Sequence, residues 1–132
     1  MGSIFTKIVA GEIPSYKIAE DEHHYAFLDI NPAARGHTLV IPKEEVDYIF
    51  DLSDARVQSL MLFAKNVARA LDQVLEPIRI GIIVEGLEVP HAHIHLIPIY
   101  TPNQAFSLGK KIEMTPEEMQ SLAEVVNKAL NA

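Results

Sequence analysis

The 132-residue sequence has no cysteine and no tryptophan, and its 11 Lys and Arg are outnumbered by 18 Asp and Glu. Lack of cysteine removes disulfides, thiolate metal ligands and thiol nucleophiles from consideration, and it suits a reducing compartment. The net charge of -7 argues against a polyanionic partner, because nucleic-acid binding relies on clustered Lys and Arg to release counterions. A small anion in a local pocket is compatible with that charge. No apolar run approaches the roughly 20 residues of a membrane span, and the N-terminus lacks the basic and apolar regions of a signal peptide. The expectation is a cytoplasmic protein that binds neither membrane nor nucleic acid. One acylation pattern is met formally, Met1-Gly2 with a hydroxyl at Thr6, but no polybasic second signal follows it.

What the chain does have, at 48% hydrophobic residues, is apolar material for one domain spanning residues 1–132 and too little length for two. Ile4, Phe5, Ile8 and Val9 have the spacing of a short helix, which Gly11 ends. Residues 16–19 and 25–30 read as strands of a hairpin around an acidic turn, in which His23 and His24 are expected to be solvated. Residues 37–41, a β-branched run closed by Pro42, predict a central strand.

Ser53 is a fitting N-cap for a long helix to about Leu75, with Val57, Leu60, Met61, Ala64, Val67, Leu71 and Val74 on its core-facing stripe. Leu62 and Phe63 fall outside that stripe and suggest a second buried face, hence a homodimer. Residues 78–84 form an apolar run short enough to be a buried strand. After a loop at 101–111, Thr115-Pro116-Glu117-Glu118 opens a last helix with the signature of a capping box.

Chemistry concentrates in His91-Ala92-His93-Ile94-His95-Leu96-Ile97. Alternation is the period of a strand, so the three histidines share one face while Ala92, Ile94 and Leu96 point into a core. Same-face neighbours lie roughly 6.5 to 7 Å apart, a row suited to surrounding one phosphate. A neutral imidazole can attack phosphorus and an imidazolium can donate to phosphate oxygens, and both forms are accessible near neutral pH. The middle ring is the candidate nucleophile, with its neighbours stabilising charge on the oxygens. Zinc is the rival reading: His93 and His95 could converge on one ion, with His37 or Glu88 as a third ligand. No further ligand motif stands at diagnostic spacing, so the expectation is no metal and no cofactor.

The histidine run resembles the signature of the histidine triad (HIT) superfamily of nucleotide hydrolases and transferases. The resemblance extends to Ile4-Phe5-x-Lys7-Ile8, Gly11-Glu12-Ile13-Pro14, the run from Ala26 to Pro32 and the run from Gly36 to Lys43, which in order resemble the N-terminal half of the Hint branch. It covers about residues 4–98, the core of the domain, and leaves the C-terminal loop and helix at about 101–131 outside.

The resemblance implies an α+β HIT-like fold: a five-stranded antiparallel sheet with one long helix, a short N-terminal helix and an added C-terminal helix. It also implies a homodimer with a continuous ten-stranded sheet. The implied function is hydrolysis of nucleoside 5'-phosphoramidates or related adenylylated compounds, AMP or GMP derivatives, through a nucleotidyl-histidine intermediate. Carried over by position, His93 is the nucleophile, His91 and His37 support it, and His95 contacts the phosphate or leaving group. Asp29 accepts from the ribose, while Ile4, Phe5, Ile8, Phe27 and Ile30 line the base and sugar pocket. Leu87 and Glu88 stand where family members commonly carry a Gln and a Ser or Thr, so the usual leaving-group preference does not follow. A carboxylate at Glu88 could act as a protonated acid, favour a cationic leaving group, or face solvent. A purine nucleotide-binding adaptor with little catalysis and a zinc-binding regulator are the alternatives.

Overall fold

The structure is a computed structural model describing residues 2–131, so Met1 of the acylation pattern and the extreme ends of the expected 1–132 domain lie outside it. In chain order it contains α1 (Ile4–Val9), β1 (Lys17–Glu20), β2 (His24–Leu28) and β3 (Thr38–Pro42). A 3-10 turn (Ile49–Asp51), α2 (Asp54–Leu75), β4 (Arg79–Ile83), β5 (Ile94–Ile99) and α3 (Pro116–Leu130) follow. The strands form one antiparallel sheet in the order β1-β2-β3-β5-β4. Because β5 returns between β3 and β4, the histidine run leads into an interior strand.

Each helix begins where a hydroxyl satisfies a free backbone amide. Ser3 accepts from the Thr6 amide, Ser53 from that of Arg56, and Thr115 from that of Glu118, whose carboxylate returns the bond. α2 stops at Glu76, held in the left-handed region at φ 51° just before Pro77. Gly36 also has positive φ, and a side chain there would collide with Leu75 of α2, so the turn into β3 requires glycine twice over.

The sheet has two differently used faces. On one, Leu60, Val67 and Leu71 of α2 and Leu122 and Val126 of α3 pack on Val40, Ile94 and Leu96. On the other, Phe5 and Ile8 of α1 pack on Tyr25, Phe27, Leu39 and Ile41. Full burial of each large aliphatic side chain contributes about 1.5–3 kcal/mol, so the first face supplies most of the hydrophobic stabilisation. α3 packs against α2 and β1 of its own chain, and the Asn127 amide donates to the Ile18 carbonyl at 2.7 Å, satisfying an acceptor on the β1 edge.

Several expectations need correction. The first two strands run one residue or more off the expected ranges. β2 starts at His24, which is only 6% exposed rather than solvated. Its Nδ1–H donates to Asp21 at 2.8 Å, its Nε2 meets Ser59 Oγ at 3.1 Å, and its ring stacks on Phe63 at 5.0 Å. The acidic turn therefore pins this ring against α2, and Phe63 finds its neighbour within the chain. Met61 is half exposed, with Ala70 buried instead, because α2 turns its stripe slightly away from that position. The strand expected to be buried, β4, is an edge strand with Ile82 47% exposed, since only β5 pairs with it. Finally, β5 begins at Ile94, so His91 and His93 precede the strand proper.

Candidate active site

The apolar half of the alternation behaves as expected: Ala92, Ile94 and Leu96 are buried, the last two against the helices. The histidines do not form an evenly spaced row. The His93 and His95 ring centroids are 4.9 Å apart and both side chains line a cavity of about 240 Å³, whereas His91 is fully buried behind it. The chain bends at His91, before the paired residues of β5 begin, and the first ring lies inward of the other two.

The hydrogen-bond partners settle which nitrogen of each ring carries the proton. His93 Nδ1 lies 2.7 Å from the His91 carbonyl, which can only accept, so Nδ1 is protonated and Nε2 keeps a lone pair. Among the described residues no buried polar side-chain atom lacks a partner, so His93 Nε2, which has none, opens to the cavity. His37 Nδ1 accepts from the Ala33 amide at 2.9 Å, which puts the His37 proton on Nε2. That Nε2–H points at His95 Nδ1, 2.9 Å away, and leaves His95 as an Nε2–H donor toward the cavity. The two adjacent rings thus present opposite characters to one space, a base at His93 and a donor at His95.

Electrostatics keeps these assignments in place. Burial pushes His37 and His95 down to about 4, helped in His37 by the Lys111 charge and in His95 by its histidine neighbours. Burial likewise lowers His91, against the pull of the Pro42 carbonyl and Glu45. Both rings of the His37–His95 pair are therefore neutral at pH 7.

The other residues singled out in the sequence gather around the same cavity. Ile4, Phe5 and Ile8 of α1, Phe27 of β2, Asp29, Ile30 and Glu88 all line it, while His37 and His91 stand behind the rings that do. Phe5 meets His93 edge-on at 5.1 Å and His91 at 5.8 Å, fixing both rings against the apolar wall. Asp29 Oδ1 accepts from the Asn31 amide at 2.8 Å, while Oδ2 lies 3.6 Å from His37 Nε2 with acceptor capacity left toward the cavity. Sequence reasoning missed Lys111, which reaches the cavity from the loop after β5, and Ser3 and Glu45, which contact the histidine network. Lys111 belongs to a segment with no periodicity, so nothing local announces it. The hydroxyls at Ser3 and Thr6 were visible only as part of an acylation pattern.

Among the described residues, the group close enough to share a metal ion is Asp29, His37 and His95, with ligand atoms within 4.8 Å of one another, rather than His93 with His95 as the rival zinc reading had it. Zinc needs a lone pair on each ligating nitrogen. The Ala33 amide keeps the His37 proton on Nε2, the nitrogen that faces the cluster, so this donor set does not fit an ion.

Comparison with known proteins places these observations. The family model of the HIT domain matches residues 10–101. The chain is 38% identical over 134 residues to an adenosine 5'-monophosphoramidase of Schizosaccharomyces pombe, covering 96% of this chain and 97% of that protein. It superposes on the crystal structure of a HIT family member from Bacillus subtilis with TM-score 0.75 and 35% identity, over 97% of this chain and 96% of the other. A zinc-bound histidine triad family protein from Mycobacterium smegmatis is also similar, with TM-score 0.82 and 28% identity over 97% and 92% of the two chains.

Proposed function

This chain belongs to the HIT family, and on that premise we propose that it hydrolyses nucleoside 5'-phosphoramidates or related adenylylated compounds through a nucleotidyl intermediate on His93. The observation that carries the proposal is His93 Nε2 opening to the cavity as the ring nitrogen without a protein partner, its orientation set by the Nδ1–H bond to the His91 carbonyl. The nucleotide's base and sugar lie against Ile4, Phe5, Ile8, Phe27 and Ile30, with Asp29 Oδ2 accepting from a ribose hydroxyl. The His93 lone pair attacks the α-phosphorus and the bond to the leaving group breaks; in a phosphoramidate already protonated on nitrogen, the amine departs neutral and the nucleotidyl group stays on His93. The His95 Nε2–H donates to a phosphoryl oxygen as charge builds there, and Lys111 adds a cation on the same side. His93, cationic while bonded to phosphorus, is stabilised through its Nδ1–H to the His91 carbonyl. Water then attacks phosphorus, the phosphorus–nitrogen bond breaks, and the nucleoside monophosphate leaves as the water proton passes to solvent.

A homodimer accompanies this reading. The unpaired edge of β4, with Ile78, Ile82 and Val84 exposed and Leu62 of α2 62% exposed, supports pairing with a second copy into a ten-stranded sheet. The name of the fission-yeast relative supports the choice of substrate. AMP release from adenosine 5'-phosphoramidate in the presence of EDTA, by wild type and by His93→Ala, tests the proposal. Turnover by wild type alone sustains it. Tight AMP binding with no turnover by either protein overturns it in favour of a nucleotide-binding module.

A further inference from the structure

Behind the cavity, a chain of hydrogen bonds runs from an exposed carboxylate to the ring that opens on the substrate space. Glu45, in the loop after β3, accepts through Oε1 from the Ser3 amide at 2.7 Å and from the Thr6 hydroxyl at 2.5 Å. With the Thr6 proton so engaged, Ser3 Oγ accepts from the Thr6 amide at 3.1 Å and gives its own proton to His91 Nδ1 at 2.7 Å. His91 has no freedom to refuse it. Its Nε2 faces the Pro42 carbonyl at 2.7 Å and must donate there, so Nδ1 is the acceptor. The His91 carbonyl in turn receives the His93 Nδ1–H.

We propose that Glu45 is a positioning residue for the reaction, holding the start of α1 so that Ser3 locks the His91 ring and, through the His91 carbonyl and Phe5, the orientation of the His93 ring. The contacts join segments 42 and 88 residues apart in sequence, and among the described residues the other contacts from α1 to His91 are a Thr6 hydroxyl at 3.5 Å and the edge-on Phe5 ring. Phe5 and Ile8 stand on the same short helix and form part of the cavity wall, so one carboxylate sets both the wall and the attacking ring. The carboxylate is ionised at neutral pH, its affinity for a proton lowered first by the Thr6 hydroxyl and then by the Ser3 amide. Misplacement of a reacting atom by about 1 Å can reduce a rate about 100-fold, which gives a surface residue this reach.

The proposal rests on the phosphoramidase reading for its kinetic test and on the fold alone for its spectroscopic one. Imidazole nitrogen NMR of the full chain reads the His91 tautomer directly. Wild type is expected to show His91 as a single Nε2–H form and His93 as Nδ1–H. Glu45→Ala and Ser3→Ala are expected to keep His91 in the Nε2–H form, which the Pro42 carbonyl holds, and to move its Nδ1 resonance toward that of an imidazole nitrogen without a hydrogen-bond donor, whereas Glu45→Gln, whose side-chain oxygen can accept both bonds, keeps the wild-type Nδ1 resonance. With adenosine 5'-phosphoramidate, kcat falls about tenfold or more in Glu45→Ala, while Glu45→Gln stays within about twofold of wild type. A Glu45→Ala protein with a wild-type His91 Nδ1 resonance and wild-type kcat overturns the proposal. A shifted His91 Nδ1 resonance in Glu45→Ala, without turnover by the wild type, leaves the relay standing and removes the phosphoramidase reading instead.

Discussion

The two sides of β5 and the segment before it are about equally buried, yet they differ in what burial does. Ile94 and Leu96 face α2 and α3, where removal from water is the whole contribution. His93 and His95, one residue out of step, face the cavity, where burial pushes His95 down to about 4 and directional partners select the tautomer of each ring. On the helix side a side chain is replaceable by another of similar volume. On the cavity side each ring has a directional partner, and no apolar isostere can supply a lone pair at His93 Nε2 or a proton at His95 Nε2. Similar burial thus serves stability on one face and chemistry on the other.

The sharpest way to separate the faces is His93→Ala. It is expected to lower kcat by more than about 10³-fold with the unfolding transition little changed, as checked by single-turnover kinetics and thermal melts. Leu96→Ala, three residues further on and on the opposite face, is expected to cost about 2–5 kcal/mol by denaturant titration. Its activity per folded molecule should stay near wild type. A large loss of specific activity in Leu96→Ala would show that the two faces are not independent.

Acid sharpens the comparison further. His37 and His95 sit near 4 in the folded chain and near 6.5 when unfolded, so between those values the unfolded chain binds more protons. Their neutral burial therefore costs nothing above about pH 6.5, and stability falls as pH drops from there toward 4. Denaturant midpoints measured across that window should decline in wild type and decline less steeply in His95→Gln, which retains an acceptor for His37 without titrating. The smallest effect is expected from Lys111→Ala, which should raise KM about two- to fivefold at low salt, with the difference shrinking as ionic strength rises.

Much of this was legible in the sequence because it is local. The N-caps at Ser53 and Thr115, the length of α2 and the buried apolar half of the histidine alternation depend on neighbours within a few residues, and they appear in the structure as expected. The site residues from Ile4 to Asp29 were named through a family resemblance, and the structure brings them to one cavity with His93 and His95. His24 was misjudged because its neighbours in sequence are acidic and polar, while its neighbours in space are Ser59 and Phe63 of α2. The histidine row was misjudged because periodicity assigns faces without reporting where a strand begins.

By itself, the sequence determined the elements, their caps, the face each side chain of the alternation prefers and the set of imidazoles available for chemistry. Only the tertiary structure decided that His91 lies behind the cavity, that β4 is an edge, that Lys111 approaches the histidines, and which nitrogen of each ring carries the proton. The division has a physical cause. Caps and periodicity follow from backbone geometry over a few residues, whereas a tautomer is set by whichever donor or acceptor the folded chain brings within about 3 Å, from Ser3 to His91 in one case and from His37 to His95 in another.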